Sequence, residues 1–294
     1  MSRKVTVSRG LPNIMGVTSV PPFVTKLADI LKAHAWFMSA LDETVGSQGM
    51  FFGLQHPPVS GEPDAIGRLA EAGIGMTAIA YELCNVFGGG FAEPTAPLTD
   101  EGKKLIDQMD AHGMYLDLSH AGHQTALDAL DHIEDERLTN IKVCASHGGC
   151  HAVYPHLRNL PDAVLSRIAS LGGLIGLTTV TWMLDERDNG LDPFFRHFDH
   201  LLKLVGQWSI AIGSDGVYQD LDAEQERRRF EALKDKLDPR GNFKPRLPDQ
   251  PAEIAGPHLM TGVATAMGLR RYGDQIIENV CGANLARFAF NIRG

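Results

Sequence analysis

Two short motifs carry the clearest chemical content of the sequence. YLDLSH (Tyr115 to His120) and CASHGGCH (Cys144 to His151) each set a histidine directly after a serine, about one strand-and-helix unit apart. Imidazole nitrogens delivered from the ends of adjacent strands can meet on one ion, and they suit zinc and similar divalent metals. His120 and His147 are therefore candidate metal ligands. A lone strand-end histidine more often serves as a hydrogen-bonding residue of the core, so the pair on successive strands decides the reading. His123 and His151 lie just beyond those strands and are expected to face loop solvent, with support of the ligands as the alternative.

Asp215 closes the run SIAIGSD, where a carboxylate can act as general base or hold a metal-bound water; a loop-capping Asp is the alternative. Arg158 in HLRN follows His147 on a loop. Its planar fork suits a carboxylate, against the plain alternative of a surface arginine. Gln55 and Tyr81 end two further strand-like runs with side chains able to coordinate or hydrogen-bond. The glycines at 88–90 and 172–173 form neither a GxGxxG turn nor a GK[ST] loop, and no GxSxG or HExxH motif is present, so nucleotide binding and those hydrolase types find no support.

The elements that must position these residues alternate. Apolar, β-rich runs cover Ile14 to Val20, Met50 to Gln55, Met76 to Tyr81, Met114 to His120, Ile141 to His147, Leu174 to Val180 and Ile210 to Asp215. Between them, apolar residues spaced by three and four predict helices at Phe23 to Leu41, Asp64 to Ala72, Asp100 to Ala111, Gln124 to Ile133, Asp162 to Leu171 and Pro193 to Val205. Buried parallel strands separated by amphipathic helices give an α/β fold. A doubly wound sheet alternates in the same way, but side chains converging from the ends of five strands favour a (β/α)8 TIM-like barrel. Its first βα unit reads as missing or degraded, since no helix separates Lys4 to Ser8 from Ile14.

The 294 residues, 44% hydrophobic, suffice for one barrel domain spanning 1–294. Within it, residues 218–257 combine a charged run (Asp222 to Lys236) with Pro- and Gly-rich sequence. They read as a solvated helix and loop, or as a lid over the mouth. Two closing helices are expected at Leu259 to Tyr272 and Asp274 to Asn291. The net charge of -9 would repel phosphate backbones, which argues against a nucleic-acid partner. No apolar run marks a signal peptide or membrane span, so a cytoplasmic protein without a membrane partner is expected. Cys84, Cys144, Cys150 and Cys281 show no CxxC spacing and are read as buried thiols.

The segments GLQ at Gln55, AYELCN around Tyr81, PLTDEGKKLIDQM leading to YLDLSH, SHGGC with HLRNLPDAVL, GGLIGL, IGSD and CGANLARF follow one another in an order and spacing that resembles the membrane-dipeptidase (renal dipeptidase) family, peptidase family M19. The likeness runs from about Gly49 to the C-terminus. It implies a (β/α)8 TIM-like barrel of the metallo-dependent hydrolase type, with a two-metal zinc site that cleaves dipeptides, often accepting a D- or dehydro-residue second. On this chain it makes His120 and His147 ligands of one metal, Arg158 the holder of the substrate carboxylate, Asp215 the handler of the water or leaving-group proton, and Tyr81 a substrate contact.

The departures are as specific. The family's His-x-Asp, which binds the other metal, has no counterpart in residues 1–48, where His34 falls in a predicted helix. Gln55 stands where a carboxylate bridges both metals, and a neutral amide offsets no repulsion between two dications. GV follows Asp215 in place of FDG. The expected enzyme is thus a hydrolase of a dipeptide or related small amide with at most one zinc ion, its candidate ligands His120, His147 and Gln55 with water. The competing expectation is a repurposed barrel that binds a small peptide-like ligand or acts on a natural-product intermediate. A third reading places an upstream βα unit bearing His-x-Asp before Met1; a barrel lacking that unit exposes a strand edge, which favours a homodimer.

Overall fold

A computed structural model of the chain describes residues 52–57, 64–216, 222–237, 240–241 and 244–290. Six strands, β1 (Phe52–Leu54), β2 (Ile74–Ala78), β3 (Tyr115–Asp117), β4 (Lys142–Gly148), β5 (Leu174–Leu177) and β6 (Ile210–Ile212), pair in parallel and in sequence order. Helices α1 (Ala65–Glu71), α2 (Asp100–Ala111), α3 (His123–Asp135) and α4 (Asp162–Ser170) make the first four crossovers. The short α5 (Thr181–Leu184) and the long α6 (Leu191–Val205) make the fifth. A doubly wound sheet reverses its strand order at a switch point. This order does not reverse, and the strands form the wall of a (β/α) barrel. The predicted run Ile14 to Val20, the helix Phe23 to Leu41 and Lys4 to Ser8 lie outside the described residues.

The helices form where the apolar spacing requires them. In α2 the Thr99 side chain accepts from Gly102 N–H, Asp100 and Glu101 occupy the first turn, and Gly102, Leu105, Ile106 and Met109 turn inward. Helix α6 buries Phe194, Phe195, Phe198 and Leu201 on one stripe, each aromatic contributing about 1.5–3 kcal/mol. His197 lies in the same stripe as a packing residue.

Inside the barrel wall a smaller cluster joins Cys144, Leu174 and Ala211, with Met76 and Phe288 against it. Phe288 comes from α10 (Asn284–Phe290), which follows α8 (Leu259–Leu269) and α9 (Asp274–Glu278). Tyr115 Oη and Lys142 Nζ, at the first residues of β3 and β4, both donate to the Phe288 carbonyl. The C-terminal helix therefore closes the bottom of the barrel, and the opposite end forms the mouth. The predicted helix Asp274 to Asn291 is interrupted by a π-helical turn at Asn279–Ala283.

Two expectations need correction. Gln55, Tyr81, His120 and Asp215 were read as the last residues of strands, but β1 ends at Leu54, β2 at Ala78, β3 at Asp117 and β6 at Ile212, so all four sit past their strands. At Asp117 the cause is local: its carboxylate accepts the Ser119 N–H, turning the backbone out of the ladder. The cysteines were read as buried throughout; Cys144 and Cys150 are buried, but Cys84 is exposed and Cys281 only partly covered. Cys84 belongs to the irregular segment after β2, where no helix covers it. Among the described residues, no helix is long and apolar enough to cross a membrane.

Candidate active site

Four elements bring the predicted side chains together at the mouth. His147 is the penultimate residue of β4, His120 follows β3, Asp215 follows β6, and Arg158 arrives on the loop after β4. Close strand approach helps to shape this end. A side chain at Gly176 or Gly213 would collide with the Ser146 carbonyl, at 2.1 and 2.0 Å from an ideal Cβ. Asp215 itself holds φ 49°, in the left-handed region that few side chains tolerate and that aspartate enters more readily than most. Such strain recurs where a loop aims a functional group.

His120 Nε2 stands 3.0 Å from His147 Nε2, and Asp215 Oδ2 lies 3.8 Å from the same His147 nitrogen. Arg158 Nη2 reaches His120 Nε2 at 3.0 Å, while Nη1 donates to the Ser119 carbonyl. The guanidinium is 1% exposed and lies 5.4 Å over the Phe91 ring. On the other side Tyr81 stacks on His120, with ring centroids 4.1 Å apart and planes at 19°.

Burial governs the electrostatics. It pulls the His120 pKa well below its ordinary 6.5, and the Arg158 charge and His147 add to the effect. It pulls His147 down too, although Asp215 opposes it. Both imidazoles are neutral at pH 7. Burial, then the Asp215 carboxylate, pushes Tyr81 up to about 12, so its hydroxyl keeps its proton. Arg158 is drawn down by burial against the opposing charge of Asp215, yet a guanidinium retains its proton in proteins.

The donor set can be tested against a metal. Arg158 can only donate, so its contact fixes His120 Nε2 as an acceptor and places the neutral ring's proton on Nδ1. His120 Nδ1 is buried without a hydrogen-bond partner among the described residues. Two nitrogens on a tetrahedral zinc lie about 3.3 Å apart, given bonds of about 2.0–2.1 Å, and 3.0 Å is close to that separation. The imidazole pair thus fits two positions around one ion. Among the described residues no three His, Cys, Asp or Glu side chains form a complete set. Arg158 also holds the His120 lone pair that an ion would share, and would have to withdraw from it.

The remaining candidates divide. Tyr81, His120, Arg158 and Asp215 line one cavity, together with Trp182 of α5. Gln55 is half-buried just after β1 and is not among the residues lining that cavity. His123 and His151 were expected to face solvent, but both are partly buried. Their rings pack edge to face at 5.0 Å, and His123 Nε2 lies 3.0 Å from the Asn159 carbonyl, pinning the loop that carries Arg158. The charged run after residue 222 folds as α7 (Ala223–Leu237), whose Glu226, Arg229, Phe230 and Lys234, spaced by three and four, line the same cavity. Sequence reasoning missed Asp117, Ser119 and Ser146, which lie directly behind the histidines. Their signal was present in the D of DLSH and the serine before each histidine.

The family model for membrane dipeptidase (peptidase family M19) matches residues 56–241. An uncharacterized protein in the pqqA 5' region of Klebsiella pneumoniae is 29% identical over 167 residues, covering 53% of this chain and 59% of that protein. Dipeptidase tcpJ of Claviceps purpurea is 30% identical over 120 residues, 40% of this chain and 27% of its own length. The chain thus spans well under two thirds of either relative. Among solved structures, a Rhodobacter sphaeroides metallo peptidase liganded with a phosphinate mimic of L-Ala-D-Ala aligns with a TM-score of 0.64 at 23% identity, covering 90% of this chain and 66% of that one. An amidohydrolase from Pseudomonas aeruginosa gives 0.65 at 24%, covering 90% and 76%. These likenesses bear on the fold, and the family match covers more than half the sequence. The chain belongs to the membrane dipeptidase family, peptidase family M19.

Proposed function

We propose that the chain is a metal-dependent, dipeptidase-like hydrolase that cleaves a dipeptide or a related small amide with one divalent ion, zinc by the chemistry of its donors. The observation that carries this reading is the convergence of the His120 and His147 Nε2 atoms beside Arg158 and Asp215. His120 and His147 would hold the ion, with Gln55 as the candidate third ligand. When bound, it polarises the scissile carbonyl and acidifies water.

The protein's own groups do the rest. Arg158, freed from His120, forks onto the substrate's carboxylate and fixes which amide enters the mouth. Asp215 takes the proton from the attacking water and passes it to the leaving amine nitrogen. Tyr81, protonated across the working pH range, presents a hydroxyl donor while its ring holds His120 in place. Helix α7 acts as the lid, its inward face excluding water above the reacting atoms. Turnover of free dipeptides against the same dipeptides blocked as C-terminal amides tests the reading. Cleavage of the free acids with loss of the amides is expected; equal cleavage, or none of either, contradicts it.

A second reading has its own support. Arg158 on the His120 lone pair, with Gln55 away from the cavity lining, suits a barrel that binds a small peptide-like ligand without cleaving it. Ligand-induced stabilisation without product would mark that outcome.

A further inference from the structure

Behind the two imidazoles lies a buried hydrogen-bond network whose protons can be counted. Asp117, 1% exposed, accepts at Oδ1 from Ser119 N–H (3.0 Å), Ser146 N–H (2.9 Å) and Ser119 Oγ (2.7 Å). Its Oδ2 faces Ser146 Oγ at 2.5 Å. Ser146 Oγ also lies 2.8 Å from His147 Nδ1 and 3.1 Å from Ser119 Oγ, and Ser119 Oγ, whose own proton goes to Asp117 Oδ1, accepts from the His147 backbone N–H at 2.9 Å. A carboxylate offers acceptors only, and each serine has one proton to give. Asp117 Oδ2 can only accept and has no other donor among these contacts, so Ser146 directs its proton to Asp117.

Ser146 then meets His147 Nδ1 with a lone pair, so Nδ1 must carry the proton of the neutral ring. We propose that Asp117 is a positioning residue that, through Ser146, fixes His147 as the Nδ1–H tautomer and turns its Nε2 lone pair toward His120 Nε2. His120 is held in the same tautomer by Arg158, which occupies its Nε2 lone pair, so neither Nε2 carries a ring proton across the 3.0 Å between them, and in the metal-free protein the cation beside them is Arg158. The inference rests on the proposed function in one respect, the role of these nitrogens as ligands; the tautomer itself belongs to the metal-free protein.

The geometry also shows how to reverse it. In Asp117→Asn the two backbone N–H groups at the Oδ1 position demand the amide oxygen there, which places the NH2 against Ser146 Oγ. Ser146 then donates to the nearer of its two remaining acceptors, His147 Nδ1 at 2.8 Å rather than Ser119 Oγ at 3.1 Å, the ring proton moves to Nε2, and Nε2–H donates to His120. The same carboxylate-to-amide change is known to fix a catalytic histidine in its wrong tautomer in serine proteases.

The test is two-bond 1H–15N correlation spectroscopy on the full chain with 15N-labelled histidine, free of metal and then titrated with zinc alone. The wild type should show His147 protonated at Nδ1, and Asp117→Asn should show it protonated at Nε2, with zinc binding about 10–100-fold weaker. A wild-type His147 protonated at Nε2, or an unchanged tautomer in a folded Asp117→Asn, overturns the proposal. Should Asp117→Asn not fold, Ser146→Ala replaces it: loss of the fixed Nδ1–H signal supports the relay, and its persistence overturns it. These readouts need no substrate, so absence of dipeptide turnover would count against the proposed function and leave the tautomer assignment standing.

Discussion

His120 Nε2 and His147 Nε2 approach to 3.0 Å although 27 residues separate them in sequence, because the ends of β3 and β4 are neighbours in the sheet. Arg158 reaches the same His120 nitrogen, so a buried cation and two neutral imidazoles share one end of the barrel. That end is where (β/α) barrels place their chemistry.

Removing Arg158 should damage binding more than folding if its role is to grip a carboxylate. Arg158→Met, which keeps the buried volume and drops the charge, is expected to raise KM for a free dipeptide by about 30-fold or more, corresponding to the roughly 2–5 kcal/mol of a buried charged contact. Arg158→Lys should recover little, since an ammonium lacks the planar fork. Steady-state kinetics with circular dichroism as a fold control reads both.

Asp215 is expected to act on kcat. Asp215→Asn keeps a side chain tolerant of φ 49° and removes the proton acceptor. Loss of general-base assistance should lower kcat by about 10²–10⁴-fold with KM little changed. An equal fall in binding would instead make Asp215 a substrate contact.

Stability should fall in acid for a reason that can be located. His197 is fully buried, its Nδ1 accepts from the Cys150 N–H and its Nε2 lies 3.0 Å from the Leu184 carbonyl, so the folded protein holds the neutral ring. Burial pulls its pKa from the ordinary 6.5 to about 4. Because the unfolded chain then binds the extra proton, this contribution is complete above pH 6.5 and lost as pH falls toward 4, by about 3 kcal/mol at most. His120 and His147, also lowered, add in the same direction. Urea unfolding from pH 7 to 4 should show this slope, reduced by about one proton in His197→Gln.

Tyr81 separates ring from hydroxyl. Tyr81→Phe preserves the stack on His120 and should leave Tm within a few degrees while lowering kcat/KM, by about tenfold for one lost hydrogen bond. Tyr81→Ala should lower Tm more, since it deletes a partly buried ring stacked on His120, at a cost below the roughly 3–5 kcal/mol of a fully buried aromatic. Thermal melts beside kinetics distinguish the two.

How far the sequence disclosed this site depends on the range of the interaction. Alternating apolar runs and amphipathic spacings located the described strands and helices because each unit carries its own pattern, and His147 fell within its predicted strand. His120 and Asp215 lie past their strands because the Asp117 side chain turns one backbone and a left-handed residue turns the other. The bond from Ser146 Oγ to Asp117 spans 29 residues and exists only through β3–β4 pairing, so no local pattern announces it. Helix α7 read as solvated because its run is highly charged, yet Phe230 and three charged neighbours face the mouth. Gln55 was singled out by its place at the end of a strand-like run and given a ligand's role by resemblance, and the cavity lining does not include it.

The most direct test of the metal-dependent reading is metal content by elemental analysis coupled to dipeptide turnover, before chelation, after it, and after zinc is restored, for the wild type and His147→Ala. The account predicts about one ion per chain, turnover that disappears with chelation and returns with zinc, and neither in His147→Ala. A wild type that binds no zinc, or hydrolyses dipeptides equally well after complete chelation, would contradict it.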